Sequence, residues 1–470
     1  MPLAENSATH APRNRARTRI GIWLERPLSS FHLVVAIAAL LLTLGLTMVL
    51  SASAVESYAN DGSSYTFFTQ QVIGVALGVI AFYVALITPV RILRKYSFPA
   101  FLVSLVMLIL VLIPGIGAEI QGSRRWFALA GISFQPSEFA KIALILWGSQ
   151  LLSIKYATRR TMRDFLTPLA PSVLLMCLLV ILQPNLSTAI TLAIISLSLL
   201  WYAGYGIRAF SLIVIAGIGS AIVLTFAASY RSDRLRSLFD PDSDPQGLGY
   251  QARQAKFALA DGGIFGKGLG QSTTKWNYLP NSYNDFIFSI IGEELGLIGC
   301  LGVIGLFAAL AYTGIRISVR SSDPFLRILS ATATTWICSQ AAINIGYVVG
   351  LLPVTGLQLP LISYGGTSTA LMLFMFGILA NAARHEPDAT SSIIDRHATT
   401  PHRMCWLPLP EPYPRLCTQK YRQIQSAATV RKTAQESVSN RNHRIANLTE
   451  NGMTKPTVRD KYPPSRIPRC

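Results

Sequence analysis

Charge is what this chain has least of, and negative charge least of all. Charged residues make up 14% of the sequence against 51% hydrophobic ones, a balance too apolar for an ordinary soluble protein. Asp and Glu number 23 against 41 Lys and Arg, and there are six histidines. His32 is the one histidine between residues 31 and 384. It stands at the start of the first apolar run, so proton transfer on the opposite face of a membrane would fall to a carboxylate. Cysteine is no richer in information. Cys177, Cys300 and Cys338 fall in apolar runs and Cys405, Cys417 and Cys470 near the C-terminus, with no zinc or disulfide spacing among them. The net charge of +18 comes without a nucleic-acid recognition motif. Much of the excess lies in short loops and the tail, where topology and anionic lipid account for it.

What is present in quantity is long apolar runs. A helix needs roughly 20 residues to cross a hydrocarbon core of about 30 Å. Runs of that kind lie near 31–53, 68–89, 98–116, 137–154, 168–183, 186–204, 209–228, 285–312, 325–350 and 358–383. The expected fold is therefore an all-α polytopic membrane protein of about ten transmembrane helices. The fifth and sixth runs are parted only by Gln183-Pro184-Asn185. The first run is full length and lacks a small-residue cleavage motif, so it is expected to stay as an anchor. Arg91, Arg94, Lys95, Lys155, Arg159, Arg160, Arg163, Arg208, Arg316 and Arg320 fall in the short loops after even-numbered runs, against Arg124 and Arg125 on the other side. The positive-inside rule then puts both termini in the cytoplasm, and a large extracytoplasmic loop, 229–284, between the seventh and eighth helices.

Three regions follow: a basic cytoplasmic arm over 1–30, a membrane body over 31–384, and a basic tail over 385–470 whose composition is that of a disordered segment. Within the large loop, YQARQAKFALADGG places Ala252, Ala255, Phe257 and Leu259 at spacings suited to a short amphipathic helix ended by Gly262 and Gly263. GGIFGKGLGQ follows. It is no nucleotide-binding loop, for it lacks the full phosphate-loop pattern and a preceding buried strand.

Because carboxylates are scarce, each one at membrane depth is informative. Asp285, in LPNSYNDFIFSIIGEELG, stands at the outer end of the eighth run, where a helix cap and a catalytic role fit equally well. Glu293 and Glu294 lie two turns deeper and are expected to pair with neighbouring helices. Glu138 and Lys141, in QPSEFAK, are three apart and can share a helix face as an internal ion pair. Alternatively they belong to a site in which Arg124 and Arg125 meet an anion, since guanidinium forks suit phosphate oxygens. In NIGYVVGLLPVTGLQLPLISYGGTS, Pro353, Gly356, Pro360, Gly365 and Gly366 cannot all be helical. The tenth run should be broken in its outer half, and such backbone is tolerated where it is buried or lines a cavity.

Together GSRRW, QPSEFAK, GYQARQAKFALADGGIFGKGLGQ, LPNSYNDFIFSIIGEELG and Asn344 through Ser368 resemble the SEDS (FtsW/RodA) family over roughly residues 19–388. The form KWNYLPN…NDFIF with the basic arm and tail is most similar to its actinobacterial, in particular mycobacterial, branch. The resemblance implies a peptidoglycan glycosyltransferase of the division septum, embedded in the cytoplasmic membrane. It would polymerise lipid II and release undecaprenyl pyrophosphate with inversion, beside a class B penicillin-binding protein. It further implies that Asp285 is catalytic, with Lys141 and Glu138 near it. Arg124, Arg125, Lys275, Gln254 and Tyr364 complete the expected substrate-binding set. No cofactor is called for, although a divalent cation is compatible with the chemistry. The chain departs from the family at Asn185, where an aspartate is usual, and at Tyr283, where a histidine is common. A competing reading with similar architecture is a lipid II flippase or other transporter. For the tail, docking on anionic lipid or on an acidic division protein such as FtsZ is expected.

Overall fold

The computed structural model describes residues 26–120, 123–129, 132–157, 162–208, 248–276, 279 and 282–399, with scattered positions between 210 and 219. In chain order the elements are α1 (Ser29–Asp61), α2 (Thr66–Ile87), α3 (Val90–Leu110), β1 (Ala118–Ile120), β2 (Ser123–Leu129), β3 (Ile132–Phe134), α4 (Pro136–Ala157), α5 (Met162–Leu182), α6 (Leu186–Tyr202), α7 (Leu248–Gly262), α8 (Ile287–Arg320), α9 (Pro324–Val348), α10 (Gly366–Arg384) and α11 (Pro387–Thr399). They belong to one compact unit reaching to Pro410.

Five of these helices, α1, α2, α3, α8 and α10, are long and apolar enough to cross a membrane. The expected spans over 137–154, 168–183, 186–204 and 325–350 are also helical, as α4, α5, α6 and α9. Of these, the apolar stretches Leu166–Leu182 and Leu186–Tyr202 are the shorter ones. The expected span at 209–228 lies mostly outside the described residues, as do the basic arm up to residue 25 and the tail from residue 400. The stretch expected to be without structure from 385 onward begins instead with α11, whose Ala389 is buried. Between α3 and α4 the chain forms a small antiparallel sheet in the order β1-β2-β3, the departure from an all-helical chain among the described residues.

Glycine sets the closest helix contacts. A Cβ on Gly74 of α2 would collide with the backbone of Gly366, and one on Gly377 of α10 with the backbone of Phe82. Small residues let membrane helices approach backbone to backbone, where dispersion replaces the hydrophobic drive absent in lipid. Polar side chains do the same work at the end of the bundle near residue 385. Asp323 caps α9 by accepting from the Phe325 N–H at 3.0 Å and also pairs with Arg94 of α3. Asn381 donates to the carbonyls of Ala85 and Thr88 at 2.9 and 2.7 Å, closing the last turn of α2.

The helix expected over 358–383 is broken as its composition requires. Helix resumes at Gly366, and residues 349–365 run as turns and extended chain. Gly350 and Gly356 take φ of 83° and 74°, and Leu361 is held at φ 63°. For a branched side chain that conformation costs roughly 1–2 kcal/mol. Its carbonyl packs on Gly45 of α1, where any Cβ would collide. The strained segment is thus wedged against α1 and not free to relax.

Candidate functional site

Asp285 lies in the turn immediately before α8. The helix begins at Ile287 with Phe286 in the cap position, so the reading of Asp285 as an N-cap does not hold. Its backbone is pinned by α9. The Asp285 carbonyl accepts from Asn344 Nδ2 at 2.9 Å and from the Tyr347 hydroxyl at 2.7 Å. The same two groups reach the Leu357 carbonyl at 2.7 and 2.9 Å. One turn of α9 therefore clamps the Asp285 turn to the broken segment. The carboxylate faces that segment too: a Cβ on Gly356 would lie 3.4 Å from Asp285 Oδ2.

The second half of the site hangs from the same face of α9. Lys141 is fully buried and pairs with Glu138 at 2.8 Å. Its ammonium also donates to Gln340 Oε1 at 3.3 Å and lies 5.0 Å from the Trp336 ring centroid. Gln340 in turn donates to the Gln358 carbonyl at 3.0 Å. Trp336, Gln340, Asn344 and Tyr347 follow helical spacing. One stripe thus carries both the Lys141–Glu138 pair and the Asp285 turn.

Aromatic rings form a third wall. Tyr283 stacks on Phe67 of α2 at 5.1 Å between centroids and meets Tyr364 edge-on at 5.5 Å. The Tyr364 N–H donates to the Tyr283 carbonyl at 3.1 Å, and its hydroxyl to Gln70 at 2.5 Å. Burial first, then the nearby carboxylates Glu56 and Asp285, holds the Tyr283 phenol above its ordinary range. It stays protonated, and donates to Glu56 at 3.4 Å.

The other expected ligands are engaged elsewhere by the contacts below. Arg124 pairs with Glu119 across β1 and β2 at 3.1 Å. Arg125 donates to the carbonyls of Gln183 and Pro184 at 2.8 and 2.5 Å. It thereby ties the sheet to the turn before α6. Asn185 caps α6 by accepting from the Thr188 N–H at 3.2 Å, a role its amide oxygen fills as well as a carboxylate would. Gln254 is half-buried on α7. Lys275 is buried, donating to the Gly270 carbonyl at 2.6 Å and lying 3.6 Å from Glu294.

Glu293 and Glu294 do not chiefly serve neighbouring helices. α8 is interrupted at Gly296, φ 70° and ψ −165°, and the glycine-rich segment docks on the break. The Lys267 and Gly268 N–H groups donate to the carbonyls of Glu293 and Glu294 at 2.9 and 3.0 Å. The Glu293 carboxylate accepts from Ser272 Oγ at 2.6 Å, from Thr273 N and Oγ1 at 2.8 Å each, and from Lys267 Nζ at 3.3 Å. Glu294 does reach a helix, accepting from Ser51 of α1 at 2.6 Å. Among the described residues no three His, Cys, Asp or Glu side chains gather as metal ligands.

Sequence reasoning missed Gln340, Asn344, Tyr347 and Glu56. The signal for the first three was available, since polar residues one turn apart in an apolar helix usually face a partner.

Comparison with known proteins sets this geometry in a context. Residues 31–388 match the family model FtsW/RodA/SpoVE, described as cell cycle protein. The chain is 57% identical over 404 residues to the probable peptidoglycan glycosyltransferase FtsW of Mycobacterium tuberculosis, covering 86% of this chain and 77% of the relative. It is 38% identical over 353 residues to the stage V sporulation protein E of Bacillus subtilis, covering 75% and 96%. Among solved structures it is similar to a chain of a peptidoglycan synthase complex that coordinates polymerisation and crosslinking. The TM-score there is 0.62 at 27% identity, over 78% of this chain and 99% of that one. The rod shape determining protein RodA of Thermus thermophilus gives 0.56 at 26% identity, with the same coverage.

Proposed function

Since the chain belongs to the FtsW/RodA/SpoVE family of cell cycle proteins, we propose that it is a peptidoglycan glycosyltransferase that polymerises lipid II into β-1,4 glycan strands. Within this chain the observation that carries the reading is the clamp on Asp285, which fixes its turn between α9 and a broken helix. A general base must be held where its proton will be.

The GlcNAc 4-hydroxyl of one lipid II attacks C1 of the MurNAc at the reducing end of the donor chain. Asp285 takes the hydroxyl proton as the new C–O bond forms. The bond from C1 to undecaprenyl pyrophosphate breaks with its electron pair on the phosphate oxygen, inverting the centre. Pyrophosphate leaves without a strong acid, so one carboxylate suffices where hydrolases need two. Lys141, paired with Glu138, holds the Gln340 end of the α9 stripe. Of the outer cations, Arg124 is best able to trade its partner for a phosphate oxygen, because both members of its pair are exposed, 39% and 56%. Arg125 and Lys275 are already engaged by backbone carbonyls. A divalent cation, if bound, would supply positive charge for the departing pyrophosphate, and Asp285 is a carboxylate that would hold it.

In this reading the sheet and the glycine-rich segment face outward, both termini lie in the cytoplasm, and the protein works at the division septum beside a class B penicillin-binding protein. The test is polymerisation of lipid II by the purified protein with its transpeptidase partner. Glycan strands are expected. Their absence, with lipid II transfer across vesicles instead, would favour the transporter.

A further inference from the structure

The segment from α7 to the turn before α8 exposes large apolar side chains at a density unusual for a loop. Ile264 is 60% exposed, Phe265 80% and Leu269 61%, with Phe257 at 59% and Trp276 at 63%. Facing water, such a surface would be costly and prone to association.

The point of attachment decides what covers it. The first part of α8, from Ile287 to Glu294, is buried on all sides. Beyond the break at Gly296 the helix turns Leu297, Ile298, Leu301 and Ile304 outward, each 42–56% exposed. In a helix apolar enough to span a membrane that stripe meets lipid. The segment is fastened to its upper end: the Leu297 N–H donates to the Gly263 carbonyl at 3.0 Å and the Ile298 N–H to the Ile264 carbonyl at 3.3 Å. From Leu297 to Arg320 the helix is about 36 Å long at ~1.5 Å per residue, against a hydrocarbon core of about 30 Å. Arg320, paired with Glu386 at 3.6 Å, marks the other boundary. Leu297 and Ile298 therefore stand where hydrocarbon meets headgroups, with Ile264 and Phe265 beside them.

We propose that residues 263–269 are seated in the leaflet at this end of the bundle, with Ile264, Phe265 and Leu269 dipping into its acyl chains. The surface continues the lipid-facing stripe of α8, so the bilayer itself is the occupant. Much of the segment's backbone is paired, as that depth favours. Gly266, Lys267 and Gly268 donate to the carbonyls of Gly262, Glu293 and Glu294 at 2.8, 2.9 and 3.0 Å. The Lys267 ammonium is also satisfied, lying 3.0 Å from Asp261 and 3.3 Å from Glu293. The inference rests on α8 spanning a membrane and is independent of the catalytic reading.

The test uses full-length protein in lipid nanodiscs, with Cys177, Cys300, Cys338, Cys405, Cys417 and Cys470 each changed to Ala. Nitroxide labels are placed one at a time at Phe265→Cys and Ile264→Cys. Leu301→Cys serves as the lipid reference and Ser63→Cys, on the exposed α1–α2 turn, as the water reference. The labels at 264 and 265 are expected to relax several-fold more with oxygen than with a water-soluble nickel chelate, as at 301. Preference for the chelate, as at 63, would overturn the proposal. Shielding from both relaxants would overturn it too, since protein and not lipid would then cover the segment. Two adjacent sites guard against one label disturbing the turn.

Discussion

The Tyr347 hydroxyl donates to the backbone carbonyl of Asp285 at 2.7 Å, and it is within 2.9 Å of the Leu357 carbonyl as well. Tyr347 never needs to touch substrate to matter. It decides where the Asp285 turn sits relative to the broken segment.

Tyr347→Phe keeps the ring and its edge-on packing against Phe286 but removes the donor. A net hydrogen bond is worth about 0.5–1.5 kcal/mol, and Asn344 still holds the turn. Stability should fall by about that amount, and polymerisation turnover by about 10-fold, with little change in the lipid II concentration at half-maximal rate. A Tyr347→Phe enzyme with unchanged turnover would remove Tyr347 from the positioning set.

Gly356→Ala addresses the other side of the carboxylate. With φ at 74°, alanine costs roughly 1–2 kcal/mol in the left-handed region. Its methyl group would also stand in van der Waals contact with Asp285 Oδ2, 3.4 Å away. Activity should fall more than thermal stability does, which paired melting and turnover measurements would reveal. Equal losses would mean the glycine serves the fold alone.

At Asn185 the cap to Thr188 predicts two different outcomes. Asn185→Asp preserves an acceptor and should leave melting nearly unchanged, with activity altered by less than about tenfold, or ~1.4 kcal/mol in barrier. Asn185→Ala removes the cap and should cost about 0.5–2 kcal/mol of stability. A gain in activity well beyond tenfold from Asn185→Asp would draw this turn into the chemistry.

Glu293→Gln tests the latch on the α8 break. The amide keeps the shape but loses the charge that meets Lys267, and it brings donors where Ser272 and Thr273 also donate. A charge-assisted bond lost here is worth about 1.5–3 kcal/mol. Amide hydrogen exchange at Thr273 and Lys267 should therefore quicken by roughly 10- to 100-fold through local opening. Unchanged exchange would show that the glycine contacts hold the segment unaided.

Much of this arrangement was legible in the sequence. Apolar runs located the helices, the Pro and Gly cluster from Pro353 to Gly366 announced the broken helix, and Gly262-Gly263 marked the end of α7. The side chains of α7 were less legible. Ala255 and Ala258 are buried while Phe257 is exposed, because an exposed phenylalanine and a core phenylalanine have the same hydrophobicity. The sheet escaped notice because its strands are short and Arg124 and Arg125 invite reading as ligands. Glu293 finds its partners some twenty residues upstream, through a helix break at Gly296 that composition alone does not reveal. At Asp285 sequence position left cap and catalysis open, and the cap on Phe286 removed the first.

The most direct test of the account is Asp285→Asn, a change of little volume that removes the base and leaves the carbonyl clamp to Asn344 and Tyr347 intact. Purified with its transpeptidase partner and supplied with lipid II, the variant should melt within a few degrees of the parent and still bind the partner. Its glycan synthesis should fall by about 100-fold or more, the contribution expected of a positioned general base. Glycan synthesis within about tenfold of the parent would contradict the account, since ~1.4 kcal/mol is too little for loss of the base.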